Sequence, residues 1–168
     1  VRKASTAEAT SLPSTTTLTM TTGSESADLS LLVSNASGTF SSSSSDELAK
    51  FSIATNNYTG YTLTISGSDD TGLLTNTDTT ITTNNTFSSI DTAISETTFD
   101  NSIYNGKWGY KPSQYITKSG GINQVVNNST NYLPSPTTTG DVLDITSTAN
   151  STNNTYTISI GARANMDL

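Results

Sequence analysis

The chain has 168 residues, a formal net charge of −7, no cysteine and no histidine. That length sets one domain as the expectation, and the missing residue types exclude disulfide staples, thiolate metal sites and the usual histidine- and cysteine-based catalytic sets. The acidic balance, with only seven lysines and arginines, argues against a nucleic-acid partner.

Serine and threonine make up more than a third of the chain, while charged residues are 12%. Solubility therefore rests on hydroxyls and amides. Threonine is β-branched and suits a pleated surface. No stretch has the ~18 apolar residues that a membrane-spanning helix needs.

Residues 1–15 lack a sustained period and read as a flexible tail or linker, leaving 16–168 as one β-domain. An even-numbered alternation (Leu12, Leu18, Met20) leads into a first strand at 16–21, closed by Gly23. A second strand is expected at 28–34, with Leu29, Leu31 and Val33 inward. Residues 38–40 read as a short continuation, and the serine run 41–45 as an exposed loop. Residues 48–66 organise the rest. Ala49, Phe51 and Ile53 alternate, then Tyr61, Leu63 and Ile65, around Asn56, Asn57 and Gly60. This predicts two adjacent antiparallel strands. Residues 67–86 are polar and predict short edge strands or a long loop.

Ile90, Ala93 and Ile94 have helical spacing, so a short helix is expected near 88–99, capped by Ser88 or Ser89. Tyr104, Trp108 and Tyr110 alternate on the next strand, which Pro112 ends. Gly120–Gly121 marks a turn before extended segments at 122–130. Pro134 and Pro136 fix an extended connection. The last two strands fall at 141–146 and 155–163. The pattern predicts an all-β, Ig-like two-sheet antiparallel sandwich of about seven to nine short strands. Tyr61, Leu63, Ile65, Trp108, Ile158 and Ile160 are its expected core.

Candidate chemistry is sparse. Tyr104, Trp108, Tyr110 and Tyr115 are candidate sugar-stacking aromatics, although a lone tryptophan on an alternating strand is more often core. Asp69 and Asp70, with Asp78, could ligate calcium, but no D-x-D-x-D-G loop is present, and an acidic turn is the simpler reading. Seven Asn-x-Ser/Thr sequons are what this composition gives by chance. Lys50 and Lys107 are candidates for an intramolecular isopeptide bond. No spacing singles out a catalytic pair, and no cofactor or metal site is expected.

Four motifs carry a resemblance: Asn56-Asn-Tyr-Thr-Gly-Tyr-Thr-Leu-Thr-Ile65, Lys107-Trp-Gly-Tyr-Lys-Pro-Ser113, Tyr132-Leu-Pro-Ser-Pro136, and Thr148–Ile158 followed by Gly161-Ala-Arg163. Together they resemble the Ser/Thr-rich secreted β-sandwich surface proteins of ultrasmall, candidate-phyla (Saccharibacteria-like) bacteria. The resemblance implies an extracellular β-sandwich and carries over no catalytic residue. Such proteins usually add a further strand beyond the Gly-Ala-Arg segment. Here that strand is expected to be absent or replaced.

The expectation is a non-enzymatic structural subunit of a cell-surface appendage, pilin-like, whose partners are copies of itself or related subunits. Leu12, Leu18 and Met20 form its candidate assembly segment, a strand that a neighbour would receive. The alternative is an adhesin or glycan-binding domain facing a host surface.

Overall fold

The computed structural model describes residues 15–24, 38–43, 49–75 and 86–164. Leu12, the expected strand at 28–34, Asp78 and most of the N-terminal tail lie outside them. The described residues are mostly β, with 57% in strands. They form thirteen strands, more than the pattern predicted.

In chain order these are β1 Leu18–Ser24, β2 Thr39–Ser42, β3 Ala49–Thr55, β4 Thr62–Ile65, β5 Leu74–Thr75, β6 Thr86–Ser89 and β7 Ile94–Ser95. After helix α1 at Glu96–Phe99 and a 3-10 turn at Ser102–Tyr104 come β8 Lys107–Pro112, β9 Gln114–Ser119, β10 Ile122–Asn127, β11 Asn131–Tyr132, β12 Asp141–Ile145 and β13 Asn150–Ala164. One seven-stranded sheet runs β1-β3-β13-β8-β6-β5, with β2 also on β13. Three two-stranded sheets accompany it: β9 with β10, β7 with β11, and β4 with β12. All pairings are antiparallel except β6 with β8.

The alternation around residues 48–66 is present, but the two strands do not pair. β3 joins β1 and β13, whereas β4 joins β12. The corner between them is an arch. Asn57 closes it, accepting from Thr59 N and donating to Gly60 O, while Gly60 N bonds Asn57 O. Gly60 has φ +73°, and a Cβ there would lie 2.2 Å from the Thr146 carbonyl oxygen. Thr146 then takes the chain over: its Oγ1 accepts from Tyr61 N at 3.0 Å. Alternation fixes which residues point inward, but it does not say which neighbour a strand takes.

The helix is shorter and later than the spacing predicted. Ser95, not Ser88 or Ser89, caps it by accepting from Thr98 N. Ser88 and Ser89 lie in β6, and Ile94 in β7. The serine run is not wholly a surface loop either. Ser41 and Ser42 lie in β2, and Ser43 is buried. Ser43 N donates to Ile160 O, and its Oγ accepts from Ile160 N, filling a gap in the ladder.

That gap matters, because the last strand lacks no partner. β13 is hydrogen-bonded on one side by β3 and then β2, and on the other by β8. It is a central strand, covered on both faces at its C-terminal end: Ser159, Gly161, Ala162 and Arg163 are all buried. Arg163 reaches Asn105 Oδ1, the Gly38 carbonyl and Asp100. Ile158, Ile160, Leu63 and Ile65, expected in the core, are only half-buried. Burial falls instead on two clusters. In one, Ile53 of β3 and Tyr156 of β13 pack with Tyr61, flanked by Phe51 and Leu63. In the other, Ile90, Phe99 and Tyr132 are joined by Phe40, Ile94 and Tyr104. The second is a tilted and edge-on aromatic stack, with ring centroids 5.1–5.7 Å apart, in the range such pairs prefer.

Candidate functional site

The four candidate stacking aromatics do not form one surface. Trp108 and Tyr110 share a face of β8, and both are buried, at 8% and 3% exposure. Trp108 Nε1 donates to the Gly72 carbonyl at 2.6 Å, and Tyr110 donates to Asp141 Oδ2 at 3.1 Å. Their polar ends are used inside the domain, as buried tyrosine and tryptophan require. Tyr104 lies before the strand, in the 3-10 turn, edge-on to Phe99. Tyr115 is half-buried on β9. Trp108 does line a cleft of about 230 Å³ with Leu73, Leu74, Asp69 and Pro136.

Asp69 and Asp70 shape the loop beside that cleft. Asp69 Oδ1 accepts from Thr71 N, Thr71 Oγ1 and Gly72 N. Asp70 Oδ1 accepts from Thr138 N at 2.7 Å. These bonds favour the charged carboxylates and hold both below the ordinary carboxylate range: Asp69 first through the Thr71 hydroxyl, Asp70 first through the Thr138 amide. Asp69 serves as a turn acceptor, and Asp70 ties its loop to the segment at Thr138. Among the described residues, no group of three acidic side chains is gathered as a metal ligand set. Of the two isopeptide candidates, Lys107 donates to the Ser89 carbonyl at 3.2 Å.

The sequence reading missed the most concentrated polar cluster. Tyr156 donates to Asp144 Oδ2 at 2.5 Å, the Tyr61 hydroxyl lies 2.5 Å from that of Tyr156, and Asn154 Nδ2 donates to Tyr61 Oη at 2.8 Å. Asp144 Oδ1 accepts from Ile145 N. A bulge makes this possible. The β4–β12 register shifts between Val142 and Asp144, so consecutive residues Leu143 and Asp144 are both buried, at 1% and 6%. A regular strand would have sent one of them outward. Burial, and then the hydrogen bond to Asp144, push the Tyr156 hydroxyl well above its ordinary pKa. This is a satisfied interior network of buried residues.

Of the candidate assembly residues, Leu18 and Met20 lie on β1, at the end of the large sheet, and Leu12 is outside the described residues. Leu18 and Met20 are 63% and 56% exposed. β1 pairs with β3 of its own chain, Leu18 opposite Thr55 and Met20 opposite Ile53. Asn56 fastens its entry, donating from Nδ2 to Thr15 O and accepting from Thr17 N. Among the described residues, nothing pairs with the outer edge of β1. No described helix is long and apolar enough to cross a membrane. No protein-family model matches the chain, and neither the characterised proteins nor the solved structures give a match.

Proposed function

We propose that this chain is a non-enzymatic, extracellular structural subunit of a cell-surface appendage, of the kind its motifs resemble, and that its domain is an Ig-like two-sheet sandwich. The packing of Ile53 and Tyr156 from the large sheet against Leu63 of β4 and Tyr61 just before it supports the two-layer reading. The observation that carries the function is the outer edge of β1. Residues 15–23 are all exposed, and residues 9–24 hold no charge. Edge strands that must stay single are usually guarded by lysine, proline or inward charge. Ahead of the irregularity between Thr22 and Ser24, this one presents leucine and methionine to solvent and, among the described residues, carries neither lysine nor proline. Copies of the chain, or related subunits, are its partners.

The route differs from donation into a vacant place beside β13, because β13 has neighbours on both sides. The added strand meets the edge of β1 itself. The glycan-binding alternative needs exposed aromatic faces, and Trp108 and Tyr110 are buried.

Leu18→Lys with Met20→Lys tests the reading. Both side chains are exposed, so the domain keeps its circular dichroism and melting temperature. The account expects loss of polymer from a folded protein. Unchanged polymer would remove β1 from assembly.

A further inference from the structure

Elsewhere on the domain, β10 has β9 as its one partner strand among the described residues. Its six residues pair with β9 in an unbroken ladder from Ile122 opposite Ser119 to Asn127 opposite Gln114. Among the described residues, no other hydrogen bond reaches 122–127. Ile122 and Val125 are 67% and 53% exposed, and only Val126 is half-buried. β9, behind it, packs beside β12, which fixes the hairpin to the domain.

The strand reads Ile-Asn-Gln-Val-Val-Asn. It is uncharged and free of proline and glycine, rich in β-branched residues, and carries amides that ladder well between identical strands. Those are the features of segments that pair with copies of themselves. None of the usual edge guards is present. Charge placement points the same way. Residues 101–140 hold three lysines and no acid, so all fourteen acids lie elsewhere. Two copies at net −7 repel one another. The hairpin strands β9 and β10 themselves carry Lys118 and no carboxylate.

We propose that β10 pairs antiparallel with β10 of a second copy, around a two-fold axis at Gln124. Opposite residues of a sheet share a face, so the register is constrained. Centred on Gln124, Ile122 faces Val126 of the other copy, Asn123 faces Val125, and Gln124 faces its own counterpart. Each apolar side chain on one face gains an apolar neighbour, and an amide pair sits between them. The contact is isologous and makes a continuous four-stranded sheet, β9-β10-β10-β9. In the assembly reading above, a second contact at β1 turns such pairs into an open chain. The β10 contact itself does not depend on that reading.

The test uses the full chain carrying Leu18→Lys and Met20→Lys, so that β1 contributes nothing and the two contacts fail or hold separately. Sedimentation is expected to show a dimer that grows with concentration, and a monomer once Ile122→Lys and Val125→Lys are added. Ile103→Lys, at a side chain 74% exposed on the 3-10 turn, is expected to leave the dimer unchanged. The chain is free of cysteine, so Gln124→Cys reports the register. Mild oxidation is expected to cross-link two copies through residue 124, and Asn127→Cys is expected to stay single. A monomer at every concentration, a dimer that survives both lysines, or cross-linking at 127 in place of 124 would overturn the proposal.

Discussion

Tyr156 donates its hydroxyl hydrogen to Asp144 Oδ2 across 2.5 Å, with both residues buried and Tyr61 closing the cluster. Asp144 is a buried carboxylate held by neutral donors. Tyrosine hydroxyls and the Ile145 amide provide its solvation. A buried charge is tolerable only when its oxygens are bonded in this way. Tyr156→Phe removes the shortest of these bonds and leaves the cavity filled. A loss of about 1.5–3 kcal/mol is expected, read as a lowered urea midpoint with an unchanged slope. A midpoint equal to wild type would show that the cluster contributes nothing to stability.

The same burial predicts an alkaline limit. Burial pushes Tyr132 up to about 12. It also raises Tyr110, with the Asp141 charge and hydrogen bond adding to it. A tyrosine is charged only after it loses its proton. In the unfolded chain that happens near pH ~10, and in the folded chain later. Below that pH both states are protonated and the contribution is complete. Above it the unfolded state binds fewer protons than the native state, so stability falls as pH rises. Urea midpoints are expected to hold from neutral pH to about 10 and then drop, with the tyrosinate absorbance of the buried Tyr110, Tyr132 and Tyr156 appearing together with unfolding, separate from that of exposed Tyr58. Ionisation of all seven tyrosines in a still-folded protein would contradict the burial of these hydroxyls.

Gly161 is glycine because Tyr132 lies over it. A Cβ at 161 would meet Tyr132 Cε1 at 2.5 Å and Phe40 Cε2 at 3.1 Å. The ring of Tyr132 is itself locked by Phe99, Phe40 and the Lys111 ammonium, 5.0 Å from its centroid. Gly161→Ala is expected to cost about 1–3 kcal/mol through overpacking. Adding Tyr132→Leu should cost less in that background than in wild type, because the clash has gone. Additive losses in a thermal-melt cycle would mean that the two positions do not share the strain.

Much of the fold was legible in the residues, and its failures have physical causes. Leu63 and Ile65 alternate with exposed Thr62 and Thr64 as the period-2 pattern predicted, because one face of β4 is wet. The Gly120–Gly121 turn also stands where predicted, between β9 and β10. Pairing was not legible: β3 and β4 look like a hairpin in sequence, yet they enter different sheets through the arch at Gly60. The long range of the Tyr61–Thr146 contact explains why, since no local pattern encodes a partner 85 residues away. At the candidate site, Trp108 was weighed against a core role, and it is buried. Asp144 gave no signal, because only the bulge at Leu143 turns it inward. Ser43 was hidden in the low-complexity run 41–45, where identical residues leave no alternation to mark which serine turns inward.

The arch itself can be broken at one atom. Gly60→Ala places a Cβ 2.2 Å from the Thr146 carbonyl oxygen, at a backbone φ of +73° that side-chain-bearing residues rarely adopt. The expected loss exceeds about 1 kcal/mol, and hydrogen exchange should rise first in β4 and β12, which the arch connects to the large sheet. Exchange rising evenly over the whole domain would show that the arch does not anchor that pair separately.

Immunogold electron microscopy of cells that produce the chain tests the central claim most directly. Antibodies against the folded domain are expected to decorate filaments at the cell surface at regular intervals, and to lose that pattern in cells producing Leu18→Lys/Met20→Lys. Label confined to the cell interior, or spread over the envelope with no filament in either strain, would contradict the account.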